Sequence, residues 1–161
     1  MSVPIRLLSL DLSRIRALQV DPTHLDGMPI VDGALPPFPL DSAAAALRDG
    51  RSALWHAPLL FVDPAAGCIV GSGAFKGEPD DGWVEVGYGI SPACQRRGHA
   101  TDAVFALVRL AFGQPGLRAV YAETAVDNVA SRRVVQKVGF THAGQRASDD
   151  DGPLDCWFVE A

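Results

Sequence analysis

Residues 95–100 combine basic and small side chains in a pattern that could bind an anion. The segment reads Gln-Arg-Arg-Gly-His-Ala and leads directly into a helical pattern of apolar residues. The start of a helix presents unpaired N–H donors and the positive end of its dipole, and Gly98 and Ala100 would let a bulky anion approach the backbone. This chemistry suits a pyrophosphate group, although a basic turn before an ordinary helix would show the same residues.

A second polar segment follows at residues 127–134 and leads to a glycine and a phenylalanine at positions 139 and 140. It carries Asn128 and Ser131, whose side chains can donate and accept hydrogen bonds. Taken alone, Asp127 and Asn128 are typical helix caps, and Ser131 is an ordinary residue of the first helical turn. This segment therefore gains a functional meaning only together with the first one.

The two segments together resemble the GNAT superfamily of acetyl-coenzyme A-dependent N-acetyltransferases, in the branch of the ribosomal-protein N-terminal acetyltransferases. The first motif, Q/R-x-x-G-x-G/A, is matched by Gln95, Gly98 and Ala100. The second, N-x-A-S-x-R-V-x-x-K-x-G-F, is matched by Asn128, Ala130, Ser131, Arg133, Val134, Lys137, Gly139 and Phe140. The agreement covers residues 67–144 and extends more weakly to the N-terminus.

The resemblance implies a fold and an activity. The fold is the α+β GNAT fold, a single domain over residues 1–161 with a mixed, mostly antiparallel central sheet of six to seven strands and about four flanking helices. The sheet is splayed between its fourth and fifth strands, and the pantetheine arm lies in that gap. The activity is direct transfer of acetyl from acetyl-CoA, in a ternary complex, to a primary amine of a protein N-terminus or a small molecule. Neither a metal nor a covalent enzyme intermediate is expected.

The resemblance also assigns residues to the cofactor. Coenzyme A is expected on Tyr88, Ile90, Gln95, Arg96, Arg97, Gly98, His99, Ala100, Thr101, Asn128 and Ser131. Within this set the backbone N–H of Ile90 would stabilise the oxyanion, and Asn128 would hold the pantetheine amides. Arg96 stands where the family commonly has glycine, and His99 where it commonly has tyrosine. The Arg96 side chain must therefore point outward if the loop keeps its shape.

Two carboxylates could take the proton of the acceptor amine. Strand alternation over residues 83–90 puts Glu85 on one face with Gly87 and Gly89, which leaves space for a ligand or marks a bulge. Glu85 is the first candidate base and Glu123, on the opposed strand, is the second. Either could instead be a solvated strand carboxylate or the partner of an arginine.

Ser131 is the expected proton donor to the departing thiolate. Some branches of the family place a tyrosine four residues after the position of Ala130, whereas this chain has Val134 there. The same valine keeps a second hypothesis open, in which the protein binds acyl-CoA or CoA as a sensor without catalysis. Transfer of a longer acyl group is also open, and the acceptor amine carries no motif in the sequence.

The elements that position these residues follow from periodicity and turn signals. Predicted helices cover residues 12–19, 43–48 (capped by Asp41 or Ser42), 100–112 and 129–138. Predicted strands cover residues 4–10, 53–62, 68–76, 83–90, 117–126, 141–146 and 154–159. Gly139 is expected as a left-handed C-cap with Phe140 packing back on Val135. Residues 21–39 are expected to form a loop.

The composition limits the class of protein. The 161 residues are 48% hydrophobic and 20% charged, which favours one globular domain over a disordered chain. A net charge of −5 argues against a nucleic-acid partner, and no apolar run is long enough for a membrane span. Cys68, Cys94 and Cys156 form no close pair, so reduced thiols and a cytoplasmic location are expected. No histidine pattern indicates a metal, and the resemblance allows a homodimer.

Overall fold

A central β-sheet organises the chain in the computed structural model, which describes residues 3–35 and 40–161. In chain order the elements are β1 (Arg6–Leu8), α1 (Leu12–Val20), β2 (His24–Leu25), β3 (Met28–Pro29), α2 (Leu40–Arg48), α3 (Ala53–His56), β4 (Leu59–Asp63), β5 (Cys68–Phe75), β6 (Trp83–Ile90), α4 (His99–Phe112), β7 (Ala119–Ala125), α5 (Val129–Val138), β8 (Thr141–Arg146) and β9 (Leu154–Glu160). A short 3₁₀ turn, Pro92–Cys94, lies between β6 and α4.

Seven of these strands form one sheet in the order β1-β4-β5-β6-β7-β9-β8, and β2 pairs with β3 apart from it. The β6–β7 pair is parallel and the other pairs are antiparallel. The expected mixed, mostly antiparallel sheet is therefore confirmed. The described residues hold five α-helices, one more than expected, because α3 adds a single turn.

The fourth and fifth strands of this sheet, β6 and β7, part after a short shared stretch. Their parallel pairing covers Trp83, Val84 and Glu85 against Ala119, Val120 and Tyr121. Beyond Glu85, β6 stays paired with β5 as far as Ile90, while β7 stays paired with β9 as far as Ala125. The expected splay is thus present, and it opens on the side of the sheet where β6 leads to α4.

Apolar layers cover both faces of the sheet. On one face α4 and α5 pack against β6 and β7, and the four positions predicted from periodicity are buried: Val104, Leu107, Val108 and Ala111. On the other face α1 and α2 cover β4 and β5, with Ile15 and Leu18 fully buried. These layers fix the positions of both the gap and the helix start beside it.

The end of α5 follows the predicted capping pattern. Gly139 has a φ of 109°, a left-handed conformation that favours glycine, and its N–H donates to the carbonyls of Val135 and Gln136. Phe140 is buried, and its N–H donates to the Val135 carbonyl at 2.9 Å. The cap predicted at this position is confirmed, and it fixes the direction in which the chain enters β8.

Some predicted boundaries were wrong. Residues 53–62 were expected as one strand, but α3 occupies the first four and β4 starts only at Leu59. The reason is local: Ala53–His56 closes one helical turn through the Ala57 N–H, and Pro58 then prevents the helix from continuing. Trp55 in this turn packs edge-on against Phe75, with ring centroids 5.1 Å apart.

Other elements begin or end differently from the sequence prediction. Helix α2 starts at Leu40, so Asp41 and Ser42 lie in its first turn instead of capping it. Strand β1 is shorter than residues 4–10, and the predicted loop 21–39 contains the β2–β3 hairpin, its residues 36–39 lying outside the described part. Within residues 3–35 and 40–161 no helix has the length and apolar character needed to cross a membrane.

Candidate active site

The backbone of β6 directs alternate residues to its two neighbours. The backbone carbonyl of Glu85 accepts from the backbone N–H of Lys76 at 2.8 Å, and the Ser91 N–H donates to the Val70 carbonyl at 2.8 Å. The backbone groups of odd-numbered residues in β6 therefore bond toward β5. Because backbone groups alternate along a strand, the even-numbered residues point toward β7. Where β7 has parted from β6, these groups face the gap.

Tyr88 and Ile90 are the residues whose backbone groups face the gap. The Ile90 carbonyl accepts a hydrogen bond from the Gln95 side chain at 3.2 Å. This contact ties the loop before α4 to the end of β6 and leaves the Ile90 N–H directed at the gap. The role expected of that N–H as an oxyanion donor stays a prediction, and the contact gives Gln95 a positioning role that its motif alone did not reveal.

The loop before α4 forms a helix start with open space in front of it. Gly98 is the N-cap, with a φ of 80°, and a Cβ there would meet no atom within 4 Å. The first intrahelical donor is the Asp102 N–H, which bonds the Gly98 carbonyl at 3.1 Å. The N–H groups of His99, Ala100 and Thr101 thus precede the helical ladder and can bind an anion.

The side chains of this loop differ in their exposure. Arg96 and Arg97 are exposed, as expected if the loop keeps its shape, and Arg96 has a left-handed φ of 66°. The His99 ring is 14% exposed, and its Nε2 lies 3.5 Å from an Asp63 carboxylate oxygen at the end of β4. His99 can therefore offer a ligand its backbone N–H, while its ring lies close to the Asp63 carboxylate without a hydrogen bond to it.

The start of α5 is tied to β6 by a hydrogen bond at Ser131. The Asn128 Oδ1 accepts from the Ser131 N–H at 3.1 Å, which makes Asn128 the N-cap. This contact uses the amide oxygen, so the amide N–H groups can still donate to a ligand. The Tyr88 hydroxyl reaches across from β6 to the Ser131 carbonyl at 3.5 Å, and burial raises the pKa of Tyr88. Sequence reasoning placed Tyr88 with the cofactor but missed this contact, which depends on the parting of the strands.

Glu85 lies on the opposite face of β6 from the α4 core. Its Oε2 accepts from the Lys76 ammonium at 2.6 Å, and the Glu85 side chain is 26% exposed. The structure therefore gives Glu85 a cationic partner, although a lysine where sequence reasoning considered an arginine. The carboxylate faces the same side of the sheet as Gly87 and Gly89, as strand alternation predicts.

Glu123 is held by an arginine. Two Arg146 N–H groups donate to its two carboxylate oxygens, and the Tyr121 hydroxyl donates to Oε2 at 2.8 Å. These bonds, with Arg146 contributing most, hold the pKa of Glu123 below its ordinary value, while burial and the neighbouring carboxylate raise the pKa of Tyr121. A carboxylate so stabilised is a weak proton acceptor, so the arginine-partner alternative is the better description of Glu123.

A cavity of about 330 Å³ opens on the Glu85 face of β6. Gly33 and Ala34 form one wall, and the Ser72 hydroxyl fastens this wall by donating to the Ala34 carbonyl at 2.9 Å. A Cβ at Gly89 would meet no atom within 4 Å, so the glycine leaves open space at the cavity. In the described ranges, no group of three or more His, Cys, Asp or Glu side chains is placed to hold a metal ion.

Known proteins share this fold and parts of this sequence. The sequence pattern of the Acetyltransferase (GNAT) domain matches residues 9–141. The chain belongs to the GNAT acetyltransferase family. YjdG of Bacillus subtilis, an uncharacterised N-acetyltransferase, is 30% identical over 73 residues, which are 45% of this chain and 44% of that protein. The chain thus spans less than half the length of this curated relative.

Solved structures of GNAT proteins superpose on most of the chain. RimL, a ribosomal L7/L12 α-N-protein acetyltransferase solved with coenzyme A, gives a TM-score of 0.68 at 15% identity, covering 99% of this chain and 95% of that one. The spermidine/spermine N-acetyltransferase SpeG of Vibrio cholerae gives a TM-score of 0.70 at 14% identity, covering 98% of this chain and 92% of that one. At these identities the likeness establishes the GNAT fold.

The Glu123–Arg146 contact predicts a pH dependence of stability. Because the folded-state pKa of Glu123 lies below its ordinary value of 4.5, its contribution is fully present above that pH and is lost as the pH falls through the folded pKa. Urea unfolding between pH 7 and pH 3 should show that Glu123→Gln costs most stability at pH 7 and progressively less below pH 4.5. Glu160→Gln, at an exposed position of β9, is the control and should show no such trend; a pH-independent cost for Glu123→Gln would contradict the assignment.

Proposed function

We propose that this GNAT protein is an N-acetyltransferase that transfers acetyl from acetyl-CoA directly to a primary amine in a ternary complex. The observation that carries the proposal is the parting of β6 and β7 beside the open start of α4. One opening thereby offers strand-type hydrogen bonds to an extended amide chain and helix N–H groups to a pyrophosphate. These are the two chemically distinct parts of coenzyme A.

The residues present fit coenzyme A part by part. Gly98 leaves space for the pyrophosphate before the N–H groups of His99, Ala100 and Thr101. The backbone of β6 at Tyr88 and Ile90 and the amide of Asn128 would hold the pantetheine arm. The exposed Arg96 and Arg97 add positive charge at the rim of the loop.

When bound, acetyl-CoA supplies the thioester whose C–S bond breaks as the amine nitrogen forms the new C–N bond. Glu85 takes the proton that the amine loses, directly or through water. The Ile90 N–H stabilises the negative charge that develops on the carbonyl oxygen. Ser131 returns a proton to the sulfur, and the Tyr88 hydroxyl beside it can assist, since burial keeps this phenol protonated.

One observation favours a second candidate function, a sensor that binds acyl-CoA or CoA without catalysis. Both candidate bases are in ion pairs, Glu85 with Lys76 and Glu123 with Arg146. A carboxylate that stays paired has less capacity to accept a proton. Glu85 keeps 26% of its side chain exposed, however, whereas Glu123 keeps 11%, and this difference supports Glu85 as a working base.

The placement of the pyrophosphate predicts the effect of Gly98→Glu. The new carboxylate would enter the open space before α4 and repel the phosphates, so affinity for acetyl-CoA should fall more than tenfold, about 1.4 kcal/mol or more, by titration calorimetry. Gly116→Glu is a matched control, because Gly116 has nearly the same φ, 77° against 80°, and also has no atom within 4 Å of its Cβ position. Equal affinities in the two variants would refute the placement.

The base assignment predicts a separation of turnover from binding. Glu85→Gln should lower kcat by about 10²–10⁴ if Glu85 takes the proton, with acetyl-CoA affinity unchanged. Glu78→Gln, a largely exposed carboxylate near His56, serves as the control and should keep wild-type kcat. A wild-type kcat in Glu85→Gln would show that Glu85 is not the base. A wild-type protein that binds acetyl-CoA but acetylates no amine in a broad screen would establish the sensor instead.

A further inference from the structure

Lys76 is the charged side chain shared by two neighbouring cavities. The first is the cavity of about 330 Å³ over Gly87 and Gly89, and its remaining lining is uncharged. The second, of about 320 Å³, lies between α2, α3 and the end of β5 and includes Trp55 and His56. Lys76 therefore sets the charge at the place where the two cavities meet.

The Lys76 side chain extends over β6 and keeps free donors. Its Cε lies 3.5 Å from the position that a Cβ would take at Gly87, so the lysine stem passes over β6 at van der Waals distance from that residue. The ammonium donates one N–H to Glu85, and the Lys76 side chain is 58% exposed. An ammonium has three donors, so two remain for a ligand in the cavity.

The two carboxylates that β6 and β7 carry on this face, Glu85 and Glu123, are each in an ion pair. Glu85 is paired with Lys76, and Glu123 is held by Arg146. A polyamine acceptor would need free carboxylates for its second and third ammonium groups and would meet the Lys76 charge. An acceptor that carries a carboxylate finds the opposite arrangement, because Lys76 and Arg146 are both more than half exposed.

We propose that the acceptor is a small amino acid whose carboxylate is bound by Lys76 while its amine lies at Glu85. The proposal rests on the acetyl transfer proposed above and names its substrate class. The Lys76–Glu85 pair presents one cation and one anion side by side, as a zwitterion requires. A cavity of about 330 Å³ is of the size that small ligands occupy.

The test compares L-amino acids with their carboxamides, which keep the amine and lose only the carboxylate. For the wild-type protein kcat/KM should be about 10–100-fold higher for the acid than for the matched amide, as expected for a charge-assisted hydrogen bond. Lys76→Met should bring this ratio close to one, and Lys76→Arg should retain most of it. Lys137→Met, at an exposed position of α5, should leave the ratio unchanged.

The ratio of kcat/KM for the acid to kcat/KM for the amide distinguishes binding of the substrate carboxylate by Lys76 from a purely structural role of this lysine. If Lys76 merely held Glu85 in place, Lys76→Met would lower the rates for acid and amide equally, and this outcome would overturn the proposal. Faster acetylation of the carboxamides or of spermidine by the wild-type protein would overturn it too, while acetyl transfer itself would stand. If acetyl-CoA binds but none of these amines is acetylated, this inference fails, and only a negative result in the broad amine screen would make the proposed transfer fail with it.

Discussion

The early end of the β6–β7 pairing is the constraint on which the rest of the structure depends. After Glu85, the backbone N–H and C=O groups of β6 that face β7 lack a strand partner. The Ile90 carbonyl accepts from the Gln95 side chain instead, and the other groups need a ligand or water to bond. The apolar layer under α4 and α5 keeps both strands in place, so the gap cannot close by collapse. An extended amide chain is the ligand that best satisfies these backbone groups.

The proposed site residues lie around this gap because the elements that leave the sheet begin there. Strand β6 leads through Gln95 to the start of α4, and β7 leads through Asn128 to the start of α5. The Tyr88 hydroxyl of β6 donates to the carbonyl of Ser131 in α5 and so links these two elements. On the other face, Lys76 lines the cavity together with Gly87 and Gly89, and Glu85 is ion-paired with Lys76. The sheet thus separates the proposed cofactor side from the proposed acceptor side.

Sequence reasoning located most of this arrangement where local signals were strong. The apolar period of α4, the cap at Gly139 and the glycine loop at Gly98 are set by nearby residues, and the structure shows each of them. The contacts of Glu123 with Arg146, of His99 with Asp63 and of Lys76 with Glu85 join separate strands or elements, so they depend on register. The turn at Ala53–His56 was missed because its short apolar run fits a strand equally well.

Residue-resolved amide hydrogen exchange in the presence of acetyl-CoA tests the central claim most directly, because it reports which N–H groups the ligand covers. The account predicts that saturating acetyl-CoA slows exchange at Tyr88 and Ile90 in the gap and at His99, Ala100 and Thr101 at the start of α4. The β2–β3 hairpin, which lies apart from the main sheet, should be unaffected. Saturable binding that leaves these five amides unchanged, or that protects the hairpin instead, would contradict the account.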